Sequence, residues 1–290
     1  MSIKQDLYNE IRRHKWELAI IKPEEFDEDL GISKAHFVKN PYKNKWFADP
    51  FILDVTDENL EVLVEEFDRF IKRGRIAKLS ISKTSYRIVS MKIILDLETH
   101  LSFPAIMRNG GEVFIYPENS ASGCLQIYRY NQVSDELTNC RILVNKPVTD
   151  AIIYNNDDCQ CILATELPNP NGNVLKVFSP EDGSENLNCF QEIRFESNIA
   201  RNGGDFFYYY GQKVRPAQIC DGGYGMGLSL QELEIKDRHF SFHETHRLLP
   251  PKGYTGLHTY NQFKGFGIID CRRYVHRSVL SFLHKLKHFV

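Results

Sequence analysis

Five polar residues, Asp49, His100, Asp150, Arg201 and His258, fall at steps of 51, 50, 51 and 57, and each precedes a short apolar run of the kind that forms a strand. A second set, Glu66, Glu118, Glu166, Gln218 and Asp270, follows the first at distances of 17, 18, 16, 17 and 12 residues. Each of these ends another strand-like run. In a hairpin the second strand returns to the face where the first began, so the two sets would meet on one face. Carboxylates gathered with two histidines and an arginine suit cleavage of a glycosidic bond. One carboxylic acid protonates the leaving oxygen, and one carboxylate attacks or activates water. Crowding of like charges supplies the acid by raising the pKa of one member. A single polar residue at such a mouth is ordinarily a solvated turn residue; the recurrence of all ten points to function.

A period near fifty built of short strands is the pattern of a propeller blade. The chain is therefore expected to be all-β, one domain over 1–290 forming a five-bladed β-propeller with blades starting near 49, 100, 150, 201 and 258. Blade one reads as strands at 51–55, 60–67, 76–82 and 86–95, separated by turn signals such as Lys72-Arg73-Gly74. Blade two reads as 105–107, 112–116, 125–130 and 141–144, with Asn109-Gly110 as a strong hairpin signal. Three strands each are legible in blade three (151–154, 159–165, 174–178) and blade four (205–210, 214–219, 228–235). Blade five has 258–262 and 267–270, and the strand-like segment 16–21, outside the repeats, is expected to close the ring. Short helices are expected at both ends, at 7–15 and 273–290. The second is basic and amphipathic: Val275, Val279, Phe282, Leu283, Leu286 and Val290 recur at helical spacing with no acidic residue between 271 and 290. It would dock on the propeller's side or, through 272–290, touch an anionic membrane.

With 42% hydrophobic, 12% aromatic and 26% charged residues the chain can bury a sizeable core. A net charge of −2 offers no global attraction to nucleic acid, which is not expected as a partner. The polar N-terminus lacks the apolar core of a signal peptide, and the seven cysteines are an odd number, so a cytoplasmic protein with reduced thiols is expected. If the tail binds lipid, that place becomes the inner face of the membrane. Cys159-Gln160-Cys161 has no second cysteine pair at ligand spacing, so no metal is expected. Gly222-Gly223-Tyr224-Gly225-Met226-Gly227 lacks a strand-to-helix context, and reads as a turn needing positive φ or a loop that lets a ligand approach. No cofactor is expected. Phe206-Phe207-Tyr208-Tyr209-Tyr210 could supply stacking faces, with core packing as the default.

Trp46-Phe47-Ala48-Asp49-Pro50-Phe51, Glu65-Glu66 followed by Gly74-Arg75-Ile76, His100-Leu101-Ser102-Phe103-Pro104, Tyr116-Pro117-Glu118, Arg215-Pro216-Ala217-Gln218 and His258-Thr259-Tyr260-Asn261 carry a resemblance. Taken in order, from about Trp16 to Asp270, they resemble the N-terminal domain of glucosamine inositolphosphorylceramide transferases and its bacterial relatives. That domain is similar in turn to the five-bladed propellers of arabinanases, β-xylosidases and invertases, in which an Asp-Pro of blade one supplies the base or nucleophile. The resemblance implies that role for Asp49 and a positioning and tuning role for Asp150. The acid falls to Glu66, Glu118 or Glu166, among which no motif decides. His100, Arg201, Arg215, Gln218, His258, Asn261 and Asp270 are expected to contact a carbohydrate or sugar-donor ligand. Hydrolysis or transfer of a glycosyl unit in glycan or surface-polysaccharide assembly is the expected activity. A glycan-binding module without turnover and a protein-interaction scaffold are the alternatives.

Overall fold

The computed structural model describes residues 13–156, 159–180 and 187–275. The chain enters through β1 (His14–Ile21) and β2 (His36–Phe37), then lays down β3 (Lys45–Val55), β4 (Asn59–Asp68), β5 (Arg73–Ser82) and β6 (Ile88–Leu95) as blade one. Blade two is β7 (Ser102–Asn109), β8 (Glu112–Glu118), β9 (Leu125–Asn131) and β10 (Glu136–Val144). Blade three is β11 (Val148–Asn156), β12 (Cys159–Glu166), β13 (Val174–Pro180) and β14 (Leu187–Arg194). Blade four is β15 (Phe207–Tyr209), β16 (Gln212–Gln218), β17 (Leu228–Lys236) and β18 (His239–Leu248), and β19 (Gly256–Phe263) and β20 (Phe266–Tyr274) begin blade five. Among the described residues these strands make five four-stranded sheets, the propeller expected from the repeat.

Inner strands are covered on both faces and outer strands on one, and the sequence follows suit. Residues 47–53 of β3 are buried without a break, whereas β14 alternates half-buried and exposed from end to end. Apolar clusters fill the spaces between blades: Phe51 and Leu63 of blade one pack with Phe103, Ile115 and Tyr116 of blade two, and Leu18, Ile20 and Ile268 of blade five pack with Val62, Val64 and Leu79. Each such side chain, fully buried, contributes about 1.5–3 kcal/mol.

The segment expected to close the ring does so. All eight residues of β1 pair with β20, from His14 opposite Tyr274 to Ile21 opposite Gly267, and β2 covers its other side. The joint covers the outer edge of β20, which would otherwise stand open.

A second regularity positions the site. The first-to-second-strand ladders shift register at corresponding places, between Ala48/Phe51, Ser102/Ala105, Thr149/Ile152 and Leu257/Tyr260. A bulge leaves a residue unpaired and re-aims its side chain. Asp49, Phe103 and Asp150 occupy these bulges with φ of 49, 43 and 44°. The blade-two equivalent of Asp49 is therefore Phe103, and His100 lies three residues earlier in the preceding loop.

Helix is the main correction to the sequence reading. Among the described residues it is confined to short 3-10 turns at Pro23–Glu25, Ile32–Lys34 and Ser120–Ser122. His14 and Lys15, expected in the first helix, open β1; Arg273 and Tyr274, expected in the last, end β20. In both places an alternation with a long-range strand partner overrides local helical spacing. The rest of the first helix, at 7–12, and of the last, at 276–290, lie outside the described residues. The fourth strands β14 and β18 escaped the sequence reading because an outer strand rich in charged and polar residues has only a weak apolar alternation. No helix among the described residues is long and apolar enough to cross a membrane.

Candidate functional site

The bulges turn a set of polar groups into the mouth of the axial channel, and Asp49 is buried among them. One carboxylate oxygen accepts the Thr259 hydroxyl at 2.9 Å and the other the Phe103 N–H at 3.1 Å, while its own N–H donates to Asp270 at 2.8 Å. The side chain belongs to a residue only 3% exposed. His258 stands beside it, Nε2 at 3.6 Å from Asp49 and Nδ1 at 2.7 Å from the Asp270 carboxylate. Asp270 also accepts the Thr259 N–H at 3.0 Å. Trp16, brought in by β1, stacks flat on the His258 ring at 3.8 Å, and Tyr224 meets that ring edge-on. Gly225 allows this cover: its φ is +61°, and a Cβ there would come within 2.9 Å of the His258 Cβ.

Across the funnel, Asp150 receives a forked pair of hydrogen bonds from Arg201 at 2.6 and 3.1 Å and a third from Gln218 at 2.7 Å. Arg201 also lies 3.9 Å from Glu118, which accepts the Ser102 hydroxyl and the Ser120 N–H. Its guanidinium sits 5.0 Å from the centre of the Tyr224 ring. Asp150 is thus held as an acceptor by a fork matched to carboxylates, and Glu118 by the Ser102 and Ser120 donors with Arg201 nearby.

Glu65 is different. It is 5% exposed, and its Oε1 has no hydrogen-bond partner among the described residues. His100 Nε2 lies 3.3 Å away, and His100 Nδ1 accepts the Gly74 N–H at 2.9 Å. In the neutral ring that acceptor role leaves the proton on Nε2, facing Glu65. Gly74 is needed here, because a Cβ would meet the Leu101 carbonyl at 2.4 Å and Glu65 Oε1 at 2.7 Å.

Burial and like charge split these carboxyls. Burial, with Asp49, Glu118, Asp270 and Asp150 nearby, pushes Glu65 well above the usual carboxylate range. Asp49 is pushed up to about 6 by burial and by Asp150 and Asp270, against the opposing charge of His258. Burial also raises Asp150, despite Arg201. Burial would raise Glu118 as well, yet Arg201 and the Ser120 and Ser102 hydrogen bonds bring it below its usual value. His258, although buried, is raised by Asp270 and Asp49, whereas burial lowers His100. A Glu65 raised well above the usual carboxylate range, an Asp49 raised less and an Asp150 tethered by Arg201 share one funnel. Asp49, His258 and Asp270 each offer a ligand atom within 4.8 Å of one another and could hold a cation, although N–H groups already occupy Asp270.

Of the residues singled out in the sequence, Asp49, His100, Glu118, Asp150, Arg201, Gln218, His258 and Asp270 come together here. Four do not. Glu66 points away from Glu65 and pairs with Lys45 and Arg75. Glu166 pairs with Lys176 at 2.6 Å. Arg215 is wholly buried, donating to Ala200 and Ile199 carbonyls, Asn202 and Gln231, and burial pushes its pKa down to about 9. Asn261 ties blades together, accepting the Asp205 N–H and donating to the Pro50 carbonyl. Phe207 is core, and Tyr208 and Tyr210 are exposed at the β15–β16 turn. Sequence reasoning missed Glu65, Trp16, Tyr224 and Thr259. Glu65 was readable in the alternation of β4, since Leu63 and Glu65 share one face and Val62, Val64 and Glu66 the other.

Fold and funnel together define a five-bladed propeller with an acidic site on its axis. In fold the chain is similar to a GH43 β-xylosidase/α-arabinofuranosidase from a compost microbial metagenome in complex with xylotriose, with a TM-score of 0.56 at 10% identity over 81% of this chain and 92% of that one. A GH43_1 enzyme from Xanthomonas citri complexed with xylotriose gives 0.55 at 11% identity, over 79% and 88%. At such identity the likeness concerns the fold alone. Residues 32–252 match the family described as "Glucosamine inositolphosphorylceramide transferase 1, N-terminal", and the chain belongs to that family. Glucosamine inositolphosphorylceramide transferase 1 of Oryza sativa subsp. indica is 25% identical over 222 residues, 70% of this chain and 30% of the relative. The protein of that name from Arabidopsis thaliana is 24% identical over 216 residues, 70% and 28%. The chain spans less than a third of the length of these relatives.

Proposed function

We propose that this protein hydrolyses or transfers a glycosyl unit bound in the funnel, with Glu65 as the acid and Asp49 as the nucleophile or base. The observation that carries the reading is the buried Glu65 carboxyl, faced by His100 Nε2 at 3.3 Å and set in the same funnel as Asp49. Glu65, whose proton is held more tightly than a free carboxyl's by burial and like charge, gives it to the leaving oxygen; Asp49, pushed up to about 6, is ionised at neutral pH and attacks the anomeric carbon or takes a proton from the attacking hydroxyl. Asp150, held by Arg201 and Gln218, keeps the negative field that tunes both. Tyr224, half-buried beside Arg201, supplies an aromatic surface for a sugar ring, and Trp16 backs the His258 ring from behind. Relatives named as glucosamine inositolphosphorylceramide transferases and neighbours solved with xylotriose support a carbohydrate ligand. We place the activity in glycan assembly inside the cell.

A glycan-binding role without turnover is favoured by one observation, the engagement of both Asp49 oxygens by Thr259 and Phe103. A panel of 4-nitrophenyl glycosides, assayed for release and for transfer to added sugars, separates the two. Glu65→Gln and Asp49→Asn should each reduce turnover at least on the order of a hundredfold while the far-ultraviolet circular dichroism stays unchanged. Equal turnover in folded variants defeats the catalytic assignment. Absence of turnover, with sugars still perturbing Trp16 fluorescence, establishes binding alone.

A further inference from the structure

Beside the funnel, a cavity of about 500 Å³ opens between the start of β1, the end of β20 and the start of β3. It is lined by Arg13, Lys15, Lys43, Lys45, Arg69 and Arg273, with His14, Val275 and the aromatic pair Trp46 and Phe67, and no carboxylate is in the lining. A smaller cavity of about 200 Å³ shares Lys15, Lys43, Lys45 and Trp46 with it and reaches Trp16. The two form one cleft. Carboxylates offset part of the charge: Glu17, which lines the smaller cavity, takes Lys15 and Arg273, and Glu66 and Asp68 take Lys45. Lys43 and Arg69 are exposed, and neither has a carboxylate partner among the described residues.

The cleft and the funnel have opposite charge and touch. Trp46 stacks on Phe67 at 4.7 Å, and the Phe67 ring lies 6.5 Å from that of His100, the partner of Glu65. At the other end, Trp16 belongs to the cleft by one edge and to the funnel through its stack on His258. A funnel in which the carboxyls of Asp49, Glu118, Asp150 and Asp270 outnumber Arg201 and His258 repels an anionic ligand, and any negative group on the ligand is better held outside it. The cationic cleft is one aromatic side chain away.

We propose that this cleft binds the phosphate of a phosphoester whose neutral sugar or polyol enters the funnel. Arg and Lys donors around an open cavity match a phosphate's oxygens, and exposed pairs of this kind weaken with salt. The ligand is thus sorted by charge along its length, phosphate in the cleft and uncharged ring over Trp46 and into the funnel. The assignment deepens the glycosyl reading but rests on its own residues.

The test is calorimetric titration with glucose 1-phosphate, inorganic phosphate and glucose, and co-sedimentation with phosphatidylcholine vesicles with and without phosphatidylinositol. The variant Lys43→Ala/Arg69→Ala alters two exposed side chains, so the fold is expected to survive. Glucose 1-phosphate should bind at least tenfold more tightly than glucose, and the double variant should lose most of that difference. If the phosphate belongs to a lipid headgroup, phosphatidylinositol vesicles should also retain the protein and release the double variant. If it belongs to a soluble ester, vesicles should not retain it. Equal affinity for glucose and glucose 1-phosphate, or phosphate binding and vesicle retention that the double variant keeps, would overturn the proposal. Phosphate binding that needs Lys43 and Arg69 in a protein with no turnover on any glycoside would leave the cleft standing and remove only the catalytic reading.

Discussion

Replacing Asp49 by Asn should make the protein more stable at neutral pH while it abolishes activity. In the folded chain the carboxyl is pushed up to about 6 from its usual 3.8, so ionising it inside the funnel costs stability. A shift of that size corresponds to about 3 kcal/mol. Asn keeps one acceptor oxygen for the Phe103 N–H, and its amide can donate to the Thr259 oxygen once that hydroxyl turns. Loss of the charged acceptor removes about 1 kcal/mol, which leaves a net gain on the order of 2 kcal/mol. Backbone strain does not oppose it, because φ at position 49 is +49° and Asn tolerates the left-handed region at least as well as Asp. The sign follows from proton binding: between pH 3.8 and about 6 the folded state keeps a proton that the unfolded state has lost, so the parent loses stability as pH rises through this window. The difference between variant and parent should therefore open across that window, stand in full at pH 8 and vanish below pH 4. Urea unfolding at several pH values, with midpoint and slope both fitted, reads it directly. A variant no more stable than the parent at pH 8, with equal slopes, refutes the argument that burial and like charge dominate at Asp49.

Activity on a responsive glycoside should rise as pH increases through about 6, where Asp49 ionises, and fall at higher pH as Glu65 loses its proton; a kcat/KM profile that keeps its alkaline limb in Glu65→Gln removes Glu65 as the acid. Gly74→Ala drives a Cβ into the Leu101 carbonyl and Glu65, and should destabilise the fold by about 1–3 kcal/mol and lower turnover, as urea midpoints and kcat will report. Arg215→Met leaves the Ala200 and Ile199 carbonyls, Asn202 and Gln231 without their donor, at a cost of at least about 3 kcal/mol in urea unfolding. KM should not change in the folded fraction, and a raised KM would return Arg215 to the ligand.

Much of the site was legible because the blade repeat is written into the chain at near-constant steps, and a bulge at the corresponding place in blades one, three and five turns a polar residue to the axis. Asp49, Asp150 and His258 were found this way. Blade two broke the pattern, since its bulge residue is Phe103 and the nearby polar residue, His100, approaches from a loop. The choice between Glu65 and Glu66 turns on strand parity. The bulge at Asp49 shifts the register of the neighbouring ladder, so counting from Asp49 lands one residue late, and only the apolar faces of β4 give the correct side. Arg215 and Asn261 sit in runs that resemble a functional motif, but their donors meet backbone and amide groups that would otherwise be buried without partners. Trp16 and Tyr224 carried no local signal. One arrives on the closing strand and the other on a glycine-rich loop, and both contacts are made only in the folded ring.

The closing strand makes assembly order part of the site's chemistry. During synthesis β1 leaves the ribosome first, while its partner β20 is among the last elements of the described chain to emerge. Until then the longest ladder of blade five has no second strand, and loop closure over nearly the whole chain makes its formation a late event. The same event brings Trp16 onto His258 and sets Asp270 against the Asp49 N–H. A partly made chain thus carries Asp49 and Asp150 without the groups from the last blade that complete their surroundings. The funnel acquires the His258 and Asp270 side of its charge pattern only when the ring shuts, and a truncated or opened ring keeps just the Asp150, Arg201 and Glu118 side.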